Sequence, residues 1–445
     1  MRRAFALAVV LGGSVPAGLA AQTPDREINL TLEDAISRGL ATSHRLAEAV
    51  ARGEAAYAVV GERRAAAMPV ATAQAGYTRT NHVTPFGFFS DFGRLVIIYP
   101  DVPDNYRTRL DLQWPIYTSG RLGALERAAQ AEAAAAGDDL NAARADLRLE
   151  ITRAYWAVVT SIEALRVVEE SLTRMDAHLR DVRNQFNAGL VPPNDVSSVE
   201  AQESRQRMLT VQARSTRDVT QAELARLIGV DPDVAMRPVS PLAPPTQASM
   251  AAARSVLAQI EQARAARAER ASLQKHVTAA DERQRAAAAG NKPIVGVGGG
   301  FDYARPNPRI FPRQDVWDTS WDASINVTWP IFDGGRTKSE VAGADANARA
   351  LRERLAEFDS VLAMEIRQRL SEAASSRAAI EAATDAVRAA TEARRVVGDR
   401  FAAGVATSTD VLDAQGAVLQ AELDRTQAVA AARLADARLA RAVGR

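Results

Sequence analysis

The sequence predicts a mixed α and β fold in which long coiled-coil helical hairpins are attached to four transmembrane-type β-strands per chain, with two strands and one hairpin in each of two repeats along 445 residues. The first observation behind this is a repeat. Trp114-Pro115-Ile116-Tyr117-Thr118-Ser119-Gly120-Arg121 returns 215 positions later as Trp329-Pro330-Ile331-Phe332-Asp333-Gly334-Gly335-Arg336, and the same offset carries Phe186, Gly189, Asp195 and Val196 onto Phe401, Gly404, Asp410 and Val411. The second is a period-two alternation of apolar and polar residues before each copy. The third is helical character after each copy, where no proline falls in 116–191 or 331–445 and Ala, Glu and Arg dominate. These observations divide the chain into a signal peptide (1–21), a first repeat (22–229), a proline-rich linker (230–247) and a second repeat (248–445).

At the amino terminus, Arg2 and Arg3 precede an apolar run from Ala4 to Val15, and Gly18, Ala20 and Ala21 offer small residues for cleavage. This pattern is that of a secretory signal, and the run is too short for a membrane anchor. With no cysteine, neither a disulfide framework nor a lipidated processing site is expected. Fifty-five basic and 54 acidic residues are interleaved along the chain, which gives no footprint for nucleic acid.

From Leu30 to about Met68, apolar residues at Leu32, Ile36, Leu40, Leu46 and Val50 predict an amphipathic helix, with Thr31 as its cap and Pro69 ending it. Strands follow at about 70–80 and 106–117. In the second, Leu110, Leu112, Trp114 and Ile116 face one side and Arg109, Asp111 and Gln113 the other. The matching strands of the second repeat lie at about 294–303 and 318–331. Strands of about ten residues with one apolar face and aromatic ends are what a membrane barrel requires. Four of them cannot close a barrel, so oligomerisation is required. The loop 81–105 is long and aromatic, whereas 304–317 is short and proline-rich.

After each repeat motif a long helix is predicted. Ile151, Tyr155, Val158, Ile162, Leu165, Val168, Leu172, Met175, Leu179, Val182 and Phe186 recur at spacings of three and four, a coiled-coil seam. Glycine and proline end the first helix at a tip near 187–195, and Gly404 ends its counterpart at a tip near 402–410, each followed by a returning helix. Trp114, Pro115 and Gly120, and likewise Trp329, Pro330 and Gly335, are the strand-to-helix elbows. Gly334-Gly335-Arg336 has no preceding buried parallel strand and no lysine in register, so it reads as an elbow and not as a phosphate cradle.

No enzyme chemistry is expected. The four histidines are scattered, no His-x-x-Glu-His spacing occurs, and no Gly-x-x-x-x-Gly-Lys-(Ser/Thr) loop is present. No cofactor or metal is expected.

The signal peptide, the duplicated strand and hairpin units, the Trp-Pro-Ile elbows and Asp-Val-Leu-Asp-Ala at 410–414 together resemble the TolC family of outer-membrane efflux proteins. The resemblance implies a homotrimer with a twelve-stranded barrel in outer-membrane lipid and a helical tunnel through the periplasm of a Gram-negative-type cell. It also implies two partners, a periplasmic adaptor and an inner-membrane pump of RND, ABC or MFS type, in an efflux or type I secretion system. It places Asp410 and Asp413 at the constricted pore entrance, with capping as the other role open to Asp410. Asp195 matches the first-tip acid, but Ala406 stands where a basic latch partner would sit. Gly189, Leu190, Gly404 and Val405 match the adaptor-contacting tips, where both glycines serve equally well as turn residues. The alternative is a non-conducting coiled-coil scaffold of the envelope, which would need no detergent.

Overall fold

The computed structural model describes residues 28–232, 234–245 and 255–445. The expected signal peptide and the boundary at 248 lie outside the described residues. Among those described, no helix is long and apolar enough to cross a membrane.

The chain opens with β1 (Ile28–Leu30), α1 (Leu32–Thr42) and α2 (His44–Ala65). Thr31 caps α1 as its position suggests, accepting from Asp34 N at 3.1 Å. The single helix expected from Leu30 to Met68 is in fact two. Ser43 takes an extended conformation and accepts from Leu46 N, because a serine hydroxyl offers the backbone a local partner that favours a new helix start over continuation.

Four strands, β2 (Val70–Arg79), β5 (Asp104–Tyr117), β7 (Ile294–Arg305) and β8 (Asp318–Thr328), form an antiparallel sheet in the order β2-β5-β7-β8. The last ends before the 331 expected. Trp329 and Pro330 fall outside it, since β8 pairs on one side only and Pro330 has no N–H to extend the ladder. The loop after β2 contains a hairpin of β3 (Phe86–Phe89) and β4 (Leu95–Tyr99), which the aromatic content alone did not reveal.

Two 67-residue helices follow the sheet, α3 (Arg121–Asn187) and α7 (Arg336–Ala402), each returning as a shorter helix, α4 (Pro193–Ile228) and α8 (Ser408–Ala442). At about 1.5 Å per residue each long helix spans about 100 Å. The strand-proximal half of α3 packs against α2 and α6 (Ala268–Ala287), and α6 also touches α7. Toward the tips the helices lie side by side in the order α4, α3, α8, α7. Of the seam residues, Ile151, Tyr155, Val158, Leu165, Val168, Met175, Leu179 and Val182 are buried, whereas Ile162 and Phe186 are exposed.

At mid-length the proline-rich segment after α4 is not merely extended. Its β6 (Met236–Pro238) pairs in parallel with β1. Around this pair Leu30, Ile151, Tyr155, Leu224, Ile228 and Met236 form the largest core. The fully buried Tyr155 hydroxyl donates to Leu30 O at 3.2 Å and accepts from Ser240 N at 3.3 Å, tying the segment to α3. A short helix, α5 (Val256–Ala266), packs on α7 through Ile260, Leu362 and Ile366.

Candidate functional site: the sheet faces and the hairpin tips

The register divides the sheet into two chemically distinct faces. Leu110, Leu112 and Trp114 sit beside Phe301, Gly299 and Val297, which sit beside Trp321, Ala323 and Ile325. This face is exposed and apolar: Leu110, Phe301 and Ile325 are all about half exposed or more. On the opposite face Thr72 and Gln74 of β2, Arg109, Asp111 and Gln113 of β5, and Asp322, Ser324 and Asn326 of β8 stand around Gly296, Gly298 and Gly300 of β7. A half-buried soluble sheet covers its apolar face with other elements, and here none of the described elements does so.

Aromatic rings mark both ends of the apolar face. Tyr77, Tyr106, Trp317 and Tyr303 form a chain of ring contacts with centroids 4.8–5.8 Å apart. At the helix-proximal end Trp114 Nε1 donates to Ala67 O at 3.1 Å and Trp329 Nε1 to Asn291 O at 3.0 Å, leaving both rings exposed. An indole with one bonded end and an exposed ring suits a membrane–water boundary. From Tyr106 to Trp114 the strand advances about 27 Å, or about 20 Å along the normal of a barrel with strands tilted by ~40°, close to an outer-membrane apolar band.

On the polar face lies a charge network that the sequence reading missed. Arg107 Nε donates to Asp302 Oδ1 at 2.7 Å, and Arg109 bonds Asp302 Oδ2 as well as Asp111 Oδ1, the latter at 2.7 Å. Arg109 Nη2 lies 3.1 Å from Asp322 Oδ1, and Arg309, from the loop between β7 and β8, lies 2.6 Å from the same oxygen. Arg107, Arg109 and Asp111 alternate visibly in the sequence. Arg109 and Asp111 are near neighbours in one strand, but Asp302 and Asp322 are about 200 positions away, and only the strand register brings them in.

The two elbows turn with backbone geometry that favours glycine. Gly120 and Gly335 stand at φ 82° and 86°, immediately before α3 and α7. At the second elbow Asp333 accepts from Gly335 N at 3.0 Å and Thr337 N at 2.9 Å. The nearby Thr337, by its side chain first and then its backbone N–H, lowers the Asp333 carboxyl from the ordinary value, with Gly335 N–H adding to this. The chain's own carboxylate thus occupies the donors that a phosphate would need.

At the tips, both long helices end in the same glycine-dependent turn. Leu190 N donates to Gln185 O and Val405 N to Arg400 O, each at 2.9 Å, with Gly189 at φ 75° and Gly404 at φ 74°. Space around both glycines is open, so φ and not crowding selects them. Leu190 and Val405 are 74% and 63% exposed. Asp410 completes a capping box, its Oδ2 accepting from Thr407 N at 2.8 Å and Thr407 Oγ1 at 2.7 Å, bonds that lower its carboxyl from the ordinary value. Asp413, one turn on, is exposed, and Asp195 accepts from Asn194 Nδ2 at 3.1 Å. Between the hairpins, buried His178 of α3 meets Ser408 Oγ of α8 at 3.1 Å and packs edge-on to Phe401 of α7. Desolvation lowers its pKa, with Asp181 opposing.

A sequence model described as outer membrane efflux protein matches residues 35–230 and 259–445. Protein CyaE of Bordetella pertussis is 28% identical over 330 residues, 73% of this chain and 65% of that relative's length. Among solved structures, the outer membrane protein VceC of Vibrio cholerae superposes with a TM-score of 0.78 at 21% identity, over 93% of this chain and 96% of that one. A membrane protein from Pseudomonas aeruginosa gives 0.78 at 21% (93% and 92%), and the outer membrane channel MtrE of Neisseria gonorrhoeae, in its open state, 0.74 at 20% (93% and 88%). At these identities the superpositions establish a shared fold, and the sequence model spans most of the chain: it belongs to the outer membrane efflux protein family.

Proposed function

We propose that three copies of this chain form a passive duct whose twelve-stranded barrel crosses the outer membrane and whose helices enclose a tunnel through the periplasm. One observation carries this reading: among the described residues, a four-stranded sheet with an uncovered apolar face ends in two unpaired edges, β2 and β8. Edge groups in lipid must be paired, at several kcal/mol per orphan. Because every neighbouring pair in the sheet is antiparallel, β2 and β8 run in opposite directions. The β8 of one copy therefore meets the β2 of the next as another antiparallel pair, and a ring of three closes at twelve strands. In the same ring the outer helices α4 and α7 of adjacent copies become neighbours.

The equal lengths of α3 and α7 and the matching tip turns support an internal duplication, with repeats at 22–229 and 248–445. The duct has no energy source of its own in this reading. An inner-membrane pump and a periplasmic adaptor deliver the solute, the adaptor meeting the tips at Gly189, Leu190, Gly404 and Val405. Asp410 and Asp413 form rings at the entrance, and Asp195 lies at the neighbouring tip. With Ala406 in place of a basic residue, no charged latch joins the two tips.

In planar bilayers the purified protein should conduct, and multivalent cations added on the tip side should block it. Asp410→Asn combined with Asp413→Asn should weaken that block, since asparagine keeps a capping acceptor while removing the charge. Block that persists unchanged in the double variant removes these residues from the entrance.

A further inference from the structure

The network on the polar face contains three guanidinium groups, Arg107, Arg109 and Arg309, and three carboxylates, Asp111, Asp302 and Asp322, so its formal charges cancel. Asp302 is fully buried beneath it, and Arg109 is only 16% exposed although it projects from the middle of a sheet face. Gly300 accounts for this. A Cβ at that position would lie 2.6 Å from Arg109 Cζ and 3.0 Å from Asp322 Oδ1, so any side chain on β7 there would push the guanidinium off the wall. Without one, Arg109 lies flat across β7 and reaches the acids on both β7 and β8. The glycine-rich run Gly296-Val297-Gly298-Gly299-Gly300 is thereby explained at its last member.

We infer that this belt sets the charge selectivity of the barrel section, keeping its wall electrically neutral so that solutes of either sign pass. The inference rests on the duct reading, in which the polar face lines the lumen. Rings of unpaired charge select ions in pores, and threefold symmetry multiplies any imbalance by three. Within one copy the removal of any carboxylate leaves one uncompensated cation, and the removal of any guanidinium leaves one uncompensated anion. Arg309 lies on the loop between β7 and β8 and donates also to Trp321 O of β8 at 3.2 Å, so its replacement by glutamine removes the charge while keeping an amide donor on that side chain.

The test is the reversal potential of the full-length protein in planar bilayers under a potassium chloride gradient. Asp302→Asn should raise the chloride-to-potassium permeability ratio by about two- to sevenfold, more at low salt, and Arg309→Gln should lower it by a similar factor. The combination of the two should restore the wild-type ratio. A purely structural role would alter conductance or assembly without this opposed pair of shifts. Should Asp302→Asn fail to assemble, Asp111→Asn replaces it in the same comparison. Single variants that leave the ratio unchanged, or that move it in the same direction, overturn the inference. An assembled wild-type particle that conducts nothing contradicts the duct reading itself, and that result is read before any variant is compared.

Discussion

His178 shows how a single side chain couples the two hairpins. Its ring is buried between α3, the start of α8 and the end of α7, where a proton would have to be accommodated away from water with only Asp181 to compensate it. A histidine whose folded value is depressed holds its full contribution above the unfolded value of 6.5. That contribution is lost as the pH falls below 6.5 toward the lowered folded value, because the unfolded chain takes up the proton first. The glutamine variant, His178→Gln, should therefore flatten the stability curve below pH 6.5, measured by urea unfolding at a series of pH values. A slope equal to that of the wild type would show that His178 is not the titrating group. From sequence alone His178 was legible only as a residue beside a seam position. Its partners Phe401 and Ser408 belong to the other hairpin, and nothing in local spacing announces them. Asp333 illustrates the same limit in reverse, because it lay within the recognised elbow motif while its capping of the α7 start depends on a turn geometry that the motif does not encode.

Among the elements, the long helices were the most legible, since 3.6-residue periodicity over many turns and glycine at the ends are local signals. Ile162 and Phe186 fit that periodicity yet are exposed in the single chain, because a helix within a single layer keeps part of its surface uncovered. The strand faces were equally clear because alternation is local. The break at Ser43 and the β1–β6 pair were not, as the first depends on one side-chain bond and the second on residues about 200 positions apart. That pair is held to α3 by one hydroxyl. Tyr155→Phe keeps the ring in place but leaves Ser240 N without its partner in a part-buried site and removes one of the two bonds that Leu30 O accepts, the other coming from Val239 N at 3.0 Å. It should lower stability by about 1–3 kcal/mol, read as a shift of the urea midpoint. A change within a few tenths of a kcal/mol would indicate that water reaches these groups and that the segment is held by packing alone.

For the whole molecule, the decisive feature is incompleteness. Among the described residues the sheet has an apolar face that no other element covers and two edges without partners, and the exposed apolar residues Met208, Val211 and Val219 on α4 and Met364 on α7 lie on the two outer helices of the layer. One assembly satisfies all of these at once, a closed ring in which sheet edge meets sheet edge and α4 meets α7. The most direct test is the mass of the detergent-extracted particle by light scattering, corrected for bound detergent. Three chains per particle are predicted, since four strands each then close a twelve-stranded barrel. A monomer or dimer that stays in solution without detergent would leave the barrel open and contradict the account.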